Sequence, residues 1–165
     1  MNIRLAHHDE LDEILSIFDT ARTFMRNHGN LTQWSNGYPS RELLITDIRQ
    51  KQLFVCEQNG HLCGVFAFIL GEDPTYTVIE NGSWPNSEPY GTIHRIASNG
   101  QQKGVLSAAV NFALQYCSNL RADTHADNTV MQNALLKLHF TYCGIIYVSD
   151  GTPRLAYHYI KKAAE

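Results

Sequence analysis

Two histidines are the side chains of this sequence that are best suited to proton transfer. His94 lies in a half-apolar stretch that begins at Thr92, and His125 follows the next such stretch. An imidazole with an unperturbed pKa of ~6.5 exchanges protons near neutral pH, so each histidine is a candidate general base. The competing interpretations are a scaffold histidine at position 94 and a loop histidine at position 125. We favour His94, because its stretch leads directly into a glycine-containing loop.

That loop covers residues 99–104 and opens onto a helical run. The start of a helix has backbone N–H groups without intrahelical partners, and its aligned peptide dipoles attract anions. We therefore expect a phosphate or pyrophosphate to bind there. The expected contacts are Gln101, Gln102, Lys103, Gly104 and Val105. The alternatives are a tight-turn role for the glycine and a solvated charge for the lysine.

The loop is also one part of a larger pattern. Gln101-x-x-Gly104 precedes a helix, Asn128 opens the next helix, and residues 137–140 close it. This arrangement resembles the GNAT superfamily of N-acetyltransferases, in which an Arg/Gln-x-x-Gly-x-Gly/Ala loop wraps the pyrophosphate of acetyl-CoA. The resemblance covers nearly the whole chain and implies acetyl-CoA as the co-substrate. It further implies that Ile96, Ala97 and Asn128 contact the cofactor, with helix capping as the alternative role of the asparagine.

Three positions depart from the family pattern. Leu106 stands where the family prefers glycine or alanine, Leu135 where many members carry a catalytic tyrosine, and His139 where a glycine precedes the phenylalanine. Tyr142 and Cys143 are alternative proton donors if they reach the site, and otherwise core or strand residues. The leading interpretation is direct acetyl transfer to a primary amine in a ternary complex. The alternatives are a catalytically degenerate acyl-CoA-binding module and a structural or interaction protein.

Two polar connections are candidates for binding the acceptor amine, which would be a small molecule or an exposed peptide terminus. The long segment 72–90 contains acidic and aromatic side chains, and the segment 30–39 adds further aromatics. Carboxylates and aromatic faces both attract a cationic amine. We expect Glu80, Trp84, Tyr90 and Trp34 to bind the acceptor. Ordinary loop packing is the competing interpretation for each of them.

The composition excludes several other classes of function. The chain has 165 residues, 44% of them hydrophobic, and a net charge of −3, so we expect one globular domain over residues 1–165. The sequence contains no run of basic residues of the kind that binds nucleic acid or an anionic membrane. It also has no His/Cys spacing that is typical of a metal site. We expect a cytoplasmic protein, because no signal-peptide core or membrane-spanning run is evident. A homodimer is left open.

The elements that must position these residues follow from hydrophobic periodicity. We predict a strand–helix–helix–strand–strand–strand–helix–strand–helix–strand–strand order, hence a mixed α/β fold with a mostly antiparallel central sheet flanked by helices. The strands are expected at 2–6, 53–57, 62–70, from 92, from 121, near 145–148 and 154–160. The helices are expected at 9–27, 40–48, from 104 to about 120 and from 128. The resemblance implies that the fourth and fifth strands splay apart around the thioester.

Overall fold

The computed structural model describes residues 1–162. The predicted order of elements is confirmed, with two short 3-10 turns added at His8–Glu10 and Pro74–Tyr76. The elements are β1 (Asn2–Leu5), α1 (Leu11–Asn27), α2 (Arg41–Arg49), β2 (Leu53–Gln58), β3 (His61–Leu70), β4 (Gly91–Ser98), α3 (Val105–Ala113), β5 (Asn119–Thr124), α4 (Thr129–Lys137), β6 (Thr141–Tyr147) and β7 (Pro153–Ile160). Within the described residues, no helix is both long and apolar enough to cross a bilayer.

Two predicted boundaries are wrong. The third helix ends at Ala113 and not near residue 120, because Asn119 and Leu120 join the sheet by pairing with β7. Ladder hydrogen bonds here override the helical periodicity of the preceding apolar run. Strand β6 begins at Thr141, ahead of the expected start near residue 145. A register shift between Tyr142 and Gly144 interrupts the side-chain alternation that would have revealed its first half.

The sheet has seven strands in the order β1-β2-β3-β4-β5-β7-β6, and it is the pairing of β4 with β5 that positions the site. This pair is parallel, and all the other pairs are antiparallel. Its register contains two residue pairs, Gly91 with Leu120 and Thr92 with Arg121. Beyond Thr92 the two strands diverge, which confirms the expected splay and opens a gap in the middle of the sheet.

The helices cover both faces of the sheet. On one face, Phe18 of α1 and Leu44 of α2 are fully buried against β2 and β3. On the other face, Ala109 of α3 and Leu135 of α4 are buried against β3, β4 and β5. Burial of a Leu or Phe side chain contributes roughly 1.5–3 kcal/mol. The layer of α3 and α4 packs on strands from both sides of the gap, because its cluster includes Ile93 of β4 and Leu120 of β5.

A β-bulge occurs in β4 immediately after His94. Val65 pairs with Ala97 and Ala67 pairs with His94, so two residues of β4 oppose one residue of β3. Arg95, one of those two, has a φ of 51°, in the left-handed region. Its guanidinium contacts the buried carboxylate of Asp47, with Nη2 donating to Oδ1 at 3.0 Å and Nε lying 2.9 Å from Oδ2. This buried ion pair anchors the bulge to α2.

The free edge of β6 is covered by part of the segment that precedes β4. Glu80 and Ile145 exchange backbone hydrogen bonds of 2.9 Å. The approach is so close that a Cβ atom on Gly82 would overlap the carbonyl of Cys143, and one on Gly144 would lie 2.6 Å from the carbonyl oxygen of Glu80. Glycine is therefore required at both positions of this contact.

Candidate functional site

A cavity of about 710 Å³ occupies the gap between β4 and β5. The register places His94 and Asp123 on the same face of the sheet, each two residues beyond the pair of Thr92 with Arg121. Both side chains line the cavity, and so do Leu106 of α3 and Leu135 of α4, which cover the opposite face. The cavity therefore passes through the sheet, from a polar mouth on one face to an apolar mouth on the other.

His94 is held in a single orientation by two acidic neighbours. Its Nε2 lies 2.7 Å from Oδ2 of Asp73, and its Nδ1 lies 3.9 Å from Oδ2 of Asp123. An ionised carboxylate only accepts hydrogen bonds, so Nε2 carries the proton that the Asp73 contact requires. In the neutral imidazole, Nδ1 then keeps its lone pair. The lone pair lies in the cavity, where a substrate proton can reach it.

Asp73 is the residue that orients His94. Burial of this carboxyl raises its pKa, but hydrogen bonds from His94 and from Thr75 outweigh that effect and lower its pKa to about 2. The threonine contributes two of them, from its backbone N–H at 2.8 Å and from its hydroxyl at 2.6 Å, both to Oδ1. Asp73 is consequently ionised throughout the physiological pH range, and its two oxygens are occupied by protein donors.

Asp123 is the second carboxylate and has a different environment. The Tyr76 hydroxyl donates to its Oδ2 at 2.6 Å. Burial raises the pKa of Tyr76 well above its usual value, with the neighbouring Asp123 charge adding to the effect, so this phenol stays protonated as a donor. Among residues 1–162, Oδ1 of Asp123 accepts no hydrogen bond, although the residue lines the cavity. One carboxylate oxygen thus remains for a ligand.

His125 also lines the cavity, but both of its ring nitrogens are engaged. The backbone N–H of Asp127 donates to Nδ1 at 3.1 Å, so Nδ1 is an acceptor. Nε2 then carries the proton of the neutral ring and donates to the Thr32 hydroxyl at 3.2 Å. Neither nitrogen has a free lone pair, and the geometry favours His94 over His125 as the base.

The segment between α1 and α2 forms one wall of the polar mouth. Trp34 and Tyr38 line the cavity there. The Trp34 ring packs edge-on against Phe18 with centroids 5.6 Å apart, and the Tyr38 hydroxyl accepts from Nη1 of Arg95 at 3.1 Å. Two aromatic rings therefore face the region where His94 and the carboxylates meet.

The loop that was expected to bind phosphate lies at the start of α3. Gln101, Gln102, Lys103 and Gly104 are exposed, and Val105 is buried as the first residue of the helix. Gly104 occupies the N-cap position with a φ of 87°, and α3 has no side-chain cap. Its first N–H groups are thus available to an external acceptor, which fits a phosphate group. Ile96 lines the cavity, whereas the side chain of Ala97 is buried in the core.

Asn128 has the capping role that was its alternative interpretation. Its Oδ1 accepts from the backbone N–H of Met131 at 3.0 Å, and its Nδ2 donates to Gln33 at 3.0 Å. The residue also lines the cavity, with the second hydrogen of Nδ2 left for a ligand. The Gln33 contact joins the segment between α1 and α2 to the start of α4.

Three residues expected at the acceptor site lie elsewhere. Glu80 accepts from the Tyr147 hydroxyl at 2.9 Å on the β6 edge. The rings of Trp84 and Tyr90 pack on either side of the Arg121 guanidinium, with centroids 4.0 and 3.8 Å from its Cζ. None of these three residues lines the cavity. This part of the long segment folds back over β5, so Trp84 and Tyr90 cover a buried cation and do not line the cleft.

The alternative proton donors are also not in the cavity. At position 135, where a tyrosine would match the family pattern, Leu135 is 1% exposed and gives the cavity an apolar wall with no proton to donate. Tyr142 is exposed on β6, and Cys143 is buried with its thiol donating to the Thr141 carbonyl. Burial raises the pKa of the Cys143 thiol, although the nearby Arg121 acts in the opposite direction. Both residues therefore fit their strand-and-core interpretation.

Sequence reasoning missed Asp73, Tyr76 and Asp123 as site residues. A signal for Asp123 existed, because an aspartate within a buried strand is unusual unless it has a partner or a function. Asp73 was visible as one of several carboxylates in the long segment, but its contact with His94 spans 21 positions. A contact of that separation cannot be read from local pattern.

Comparison with known proteins was made through solved structures. No protein-family model matches the chain, and no curated protein matches it either. The structure of a GNAT-family acetyltransferase from Streptococcus agalactiae is 34% identical with a TM-score of 0.89, and the match covers 98% of this chain and 96% of that one. An acetyltransferase structure from Staphylococcus aureus Mu50 is 24% identical with a TM-score of 0.71, covering 98% and 100%. A GNAT-family structure from Listeria monocytogenes is 16% identical with a TM-score of 0.69, and the match covers 96% of this chain and 94% of that one. The Staphylococcus and Listeria structures show a shared fold.

Proposed function

The chain belongs to the GNAT family of acetyltransferases, and on that premise we propose that it transfers an acetyl group from acetyl-CoA to a primary amine. The amine attacks directly in a ternary complex, without an acyl-enzyme. The observation that carries the proposal is the free Nδ1 of His94 inside a cavity that crosses the sheet, with Asp73 fixing the ring. A base in that position serves proton removal from an amine.

Acetyl-CoA supplies an acetyl group that is already activated as a thioester. The chain offers its pyrophosphate the uncapped start of α3, where Gly104 leaves open space in front of the N–H groups. Asn128 offers one Nδ2 hydrogen, and Ile96 lines the cleft. Leu106 and Leu135 form apolar walls of the mouth on this face, which suits the uncharged part of the cofactor.

The acceptor reaches the cavity through the polar mouth. Most primary amines arrive as ammonium ions, and the free oxygen of Asp123 attracts that charge. His94 then accepts one proton at Nδ1, which leaves a neutral amine that is able to attack. The resulting imidazolium lies between the carboxylates of Asp73 and Asp123, which stabilise its charge.

The remaining steps need fewer side chains. In the β4 bulge an extra residue is left out of the ladder, so backbone N–H groups there are candidates to stabilise the oxyanion. The nitrogen loses its second proton as the tetrahedral intermediate collapses, and the leaving thiolate, whose conjugate acid has a pKa of ~8.5, accepts that proton directly or through water, so no general acid is needed. The absence of a tyrosine at position 135 is therefore compatible with turnover.

The experiment is an acceptor screen with purified protein and acetyl-CoA. Thiol release is followed with diamines, amino acids, amino sugars and short peptides, and each acetylated product is identified by mass spectrometry. We expect amide products with at least one class of amine and no thiol release without an acceptor. Binding of acetyl-CoA without any acetylated amine would instead identify the degenerate acyl-CoA-binding module.

A further inference from the structure

We infer that the acceptor is an amine that also carries a carboxylate several bonds away, and that Arg154 binds this carboxylate. The inference rests on the proposed function, because it concerns the second end of the same acceptor. Arg154 lines the polar mouth and, among residues 1–162, forms no salt bridge, while the Asp150 carboxylate lies close enough for the two charges to attract each other. Arg95, the other arginine in the cavity wall, is already paired with Asp47.

The guanidinium of Arg154 is held by one of its three nitrogens. Nη1 donates to the Thr152 hydroxyl at 2.9 Å and to the Pro153 carbonyl at 2.8 Å. Within the described part of the chain, Nε and Nη2 have no hydrogen-bond acceptor. These two nitrogens form the edge of a guanidinium that binds a carboxylate through two parallel hydrogen bonds. The contacts of Nη1 fix the group while leaving that edge available.

The sheet register places Arg154 relative to the base. Asp123 pairs with Ala156, and Arg154 lies two residues earlier on β7, so its side chain emerges on the same face as Asp123 and His94. Diagonal neighbours of this kind are about 7–8 Å apart. The contacts with Thr152 and Pro153 hold the guanidinium beside the hairpin that joins β6 and β7.

This separation defines the acceptor. The ammonium group binds near Asp123 and His94, and the carboxylate binds at Arg154. In an α-amino acid both groups are attached to one carbon, so one molecule cannot contact both ends. An ω-amino acid has the required length. The hairpin also contains Asp150, which lines the cavity too, and its Oδ1 accepts from the backbone N–H and the hydroxyl of Thr152, which keeps this oxygen in the turn.

The test compares ε-aminocaproate with its uncharged amide, ε-aminocaproamide, and with glycine. For the wild type we expect kcat/KM to be about 10- to 100-fold higher for the acid than for the amide, the range of a charge-assisted hydrogen bond. Glycine should be a poor acceptor. Arg154→Gln should remove the preference by raising KM for the acid alone, and Arg154→Lys should keep only part of it, because lysine lacks the fork.

The control is Arg41→Gln, which removes an exposed arginine paired with Asp12 far from the cavity, and it should retain the wild-type preference. Equal kcat/KM for acid and amide in the wild type would overturn the inference while leaving amine acetylation intact. An unchanged preference in Arg154→Gln would overturn it as well. If no amine in this set or in the wider screen is acetylated, it is the proposed function that fails.

Discussion

His94 and His158 lie on the same face of one sheet, and each is held by two polar neighbours, yet their surroundings differ. His94 uses Nε2 to contact Asp73 and keeps Nδ1 towards the cavity. His158, on β7, is 1% exposed and uses both nitrogens: Nδ1 accepts from Arg121 at 3.3 Å, and Nε2 donates to Asn119 at 2.9 Å. The region around His94 is open to the cavity and can exchange protons with a ligand; we call it the open region. The region around His158 and Arg121 is buried and cannot do so; we call it the closed region.

The closed region shows how an arginine is buried without a carboxylate. Arg121 is 5% exposed, with aromatic rings on both sides of its guanidinium and the Asn86 carbonyl accepting from Nη2 at 3.1 Å. Burial lowers the pKa of His158 to about 4, and the neighbouring arginine acts in the same direction. Burial and a neighbouring cation therefore keep His158 neutral, whereas His94 lies between two carboxylates at the edge of the cavity.

The largest expected effect separates the two histidines by activity. His94→Gln should lower kcat by roughly 100- to 10,000-fold, the usual contribution of a general base. His158→Gln and His125→Gln should stay within a few-fold of the wild type, because their ring nitrogens are already engaged. Steady-state kinetics with saturating acetyl-CoA is the measurement. Normal kcat in His94→Gln together with a loss in His125→Gln would reverse the assignment.

The second effect is a dependence of folding stability on pH, and it comes from His158. A neutral histidine in the folded state takes no proton until the pH approaches about 4, whereas the unfolded chain protonates it near pH ~6.5. Stability is unaffected above pH ~6.5 and falls by about 3 kcal/mol as the pH drops to about 4, because the unfolded state binds the extra proton. Urea unfolding across this range should show the loss in the wild type. In His158→Gln the loss of stability should be smaller by that amount. If the wild type and the variant lost the same stability over this pH range, His158 would not be its source.

A third effect is ligand binding through the open region. Acetyl-CoA at ~100 times its Kd should stabilise the fold by ~2.7 kcal/mol, a rise in Tm of roughly 5–10 °C. Gly104→Asp should abolish the rise, since a carboxylate would face the phosphates at the start of α3. Gly104→Asn is the matched control, with the same strain at φ +87° but no charge, and should keep most of the rise. No shift in the wild type at millimolar acetyl-CoA would contradict the binding site.

The smallest of the four effects concerns Asp73. Its pKa is about 2 in the folded state and ~3.9 in the unfolded chain, so its contribution of about 2 kcal/mol is complete above pH 4 and is lost as the pH falls through 2. Asp73→Asn should therefore be less stable than the wild type at neutral pH and equally stable near pH 2. Unfolding midpoints at both pH values measure this difference. A constant gap between the two proteins would show that ionisation of Asp73 does not matter.

The open region was the more predictable of the two from sequence. His94, the loop before α3 and the order of strands all follow from local patterns of apolar and polar residues. The partners Asp73 and Asp123 were not predicted, because they meet the histidine only after a long segment and a second strand have folded around it. Local periodicity carries no information about such pairings.

The closed region could not be predicted at all. Trp84 and Tyr90 have the composition of an acceptor pocket, and nothing near them in sequence reveals that Arg121 will lie between their rings. The early end of α3 has a similar cause. Asn119 was counted with the helix, but its amide oxygen accepts from His158 and Asn86, and its backbone pairs with Ile160. In each case a tertiary partner decided the outcome over local preference.

The segment on the β6 edge affects how the molecule behaves in a crowded solution. By exchanging backbone hydrogen bonds with Ile145, Glu80 occupies groups that another chain would otherwise use to add a strand. The contact depends on Gly82 and Gly144, because a side chain at either position would push the segment away. A substitution at Gly82 would therefore expose the edge far from the catalytic residues. Its first symptom would be self-association and loss of soluble protein, with the activity of the protein that stays in solution unchanged.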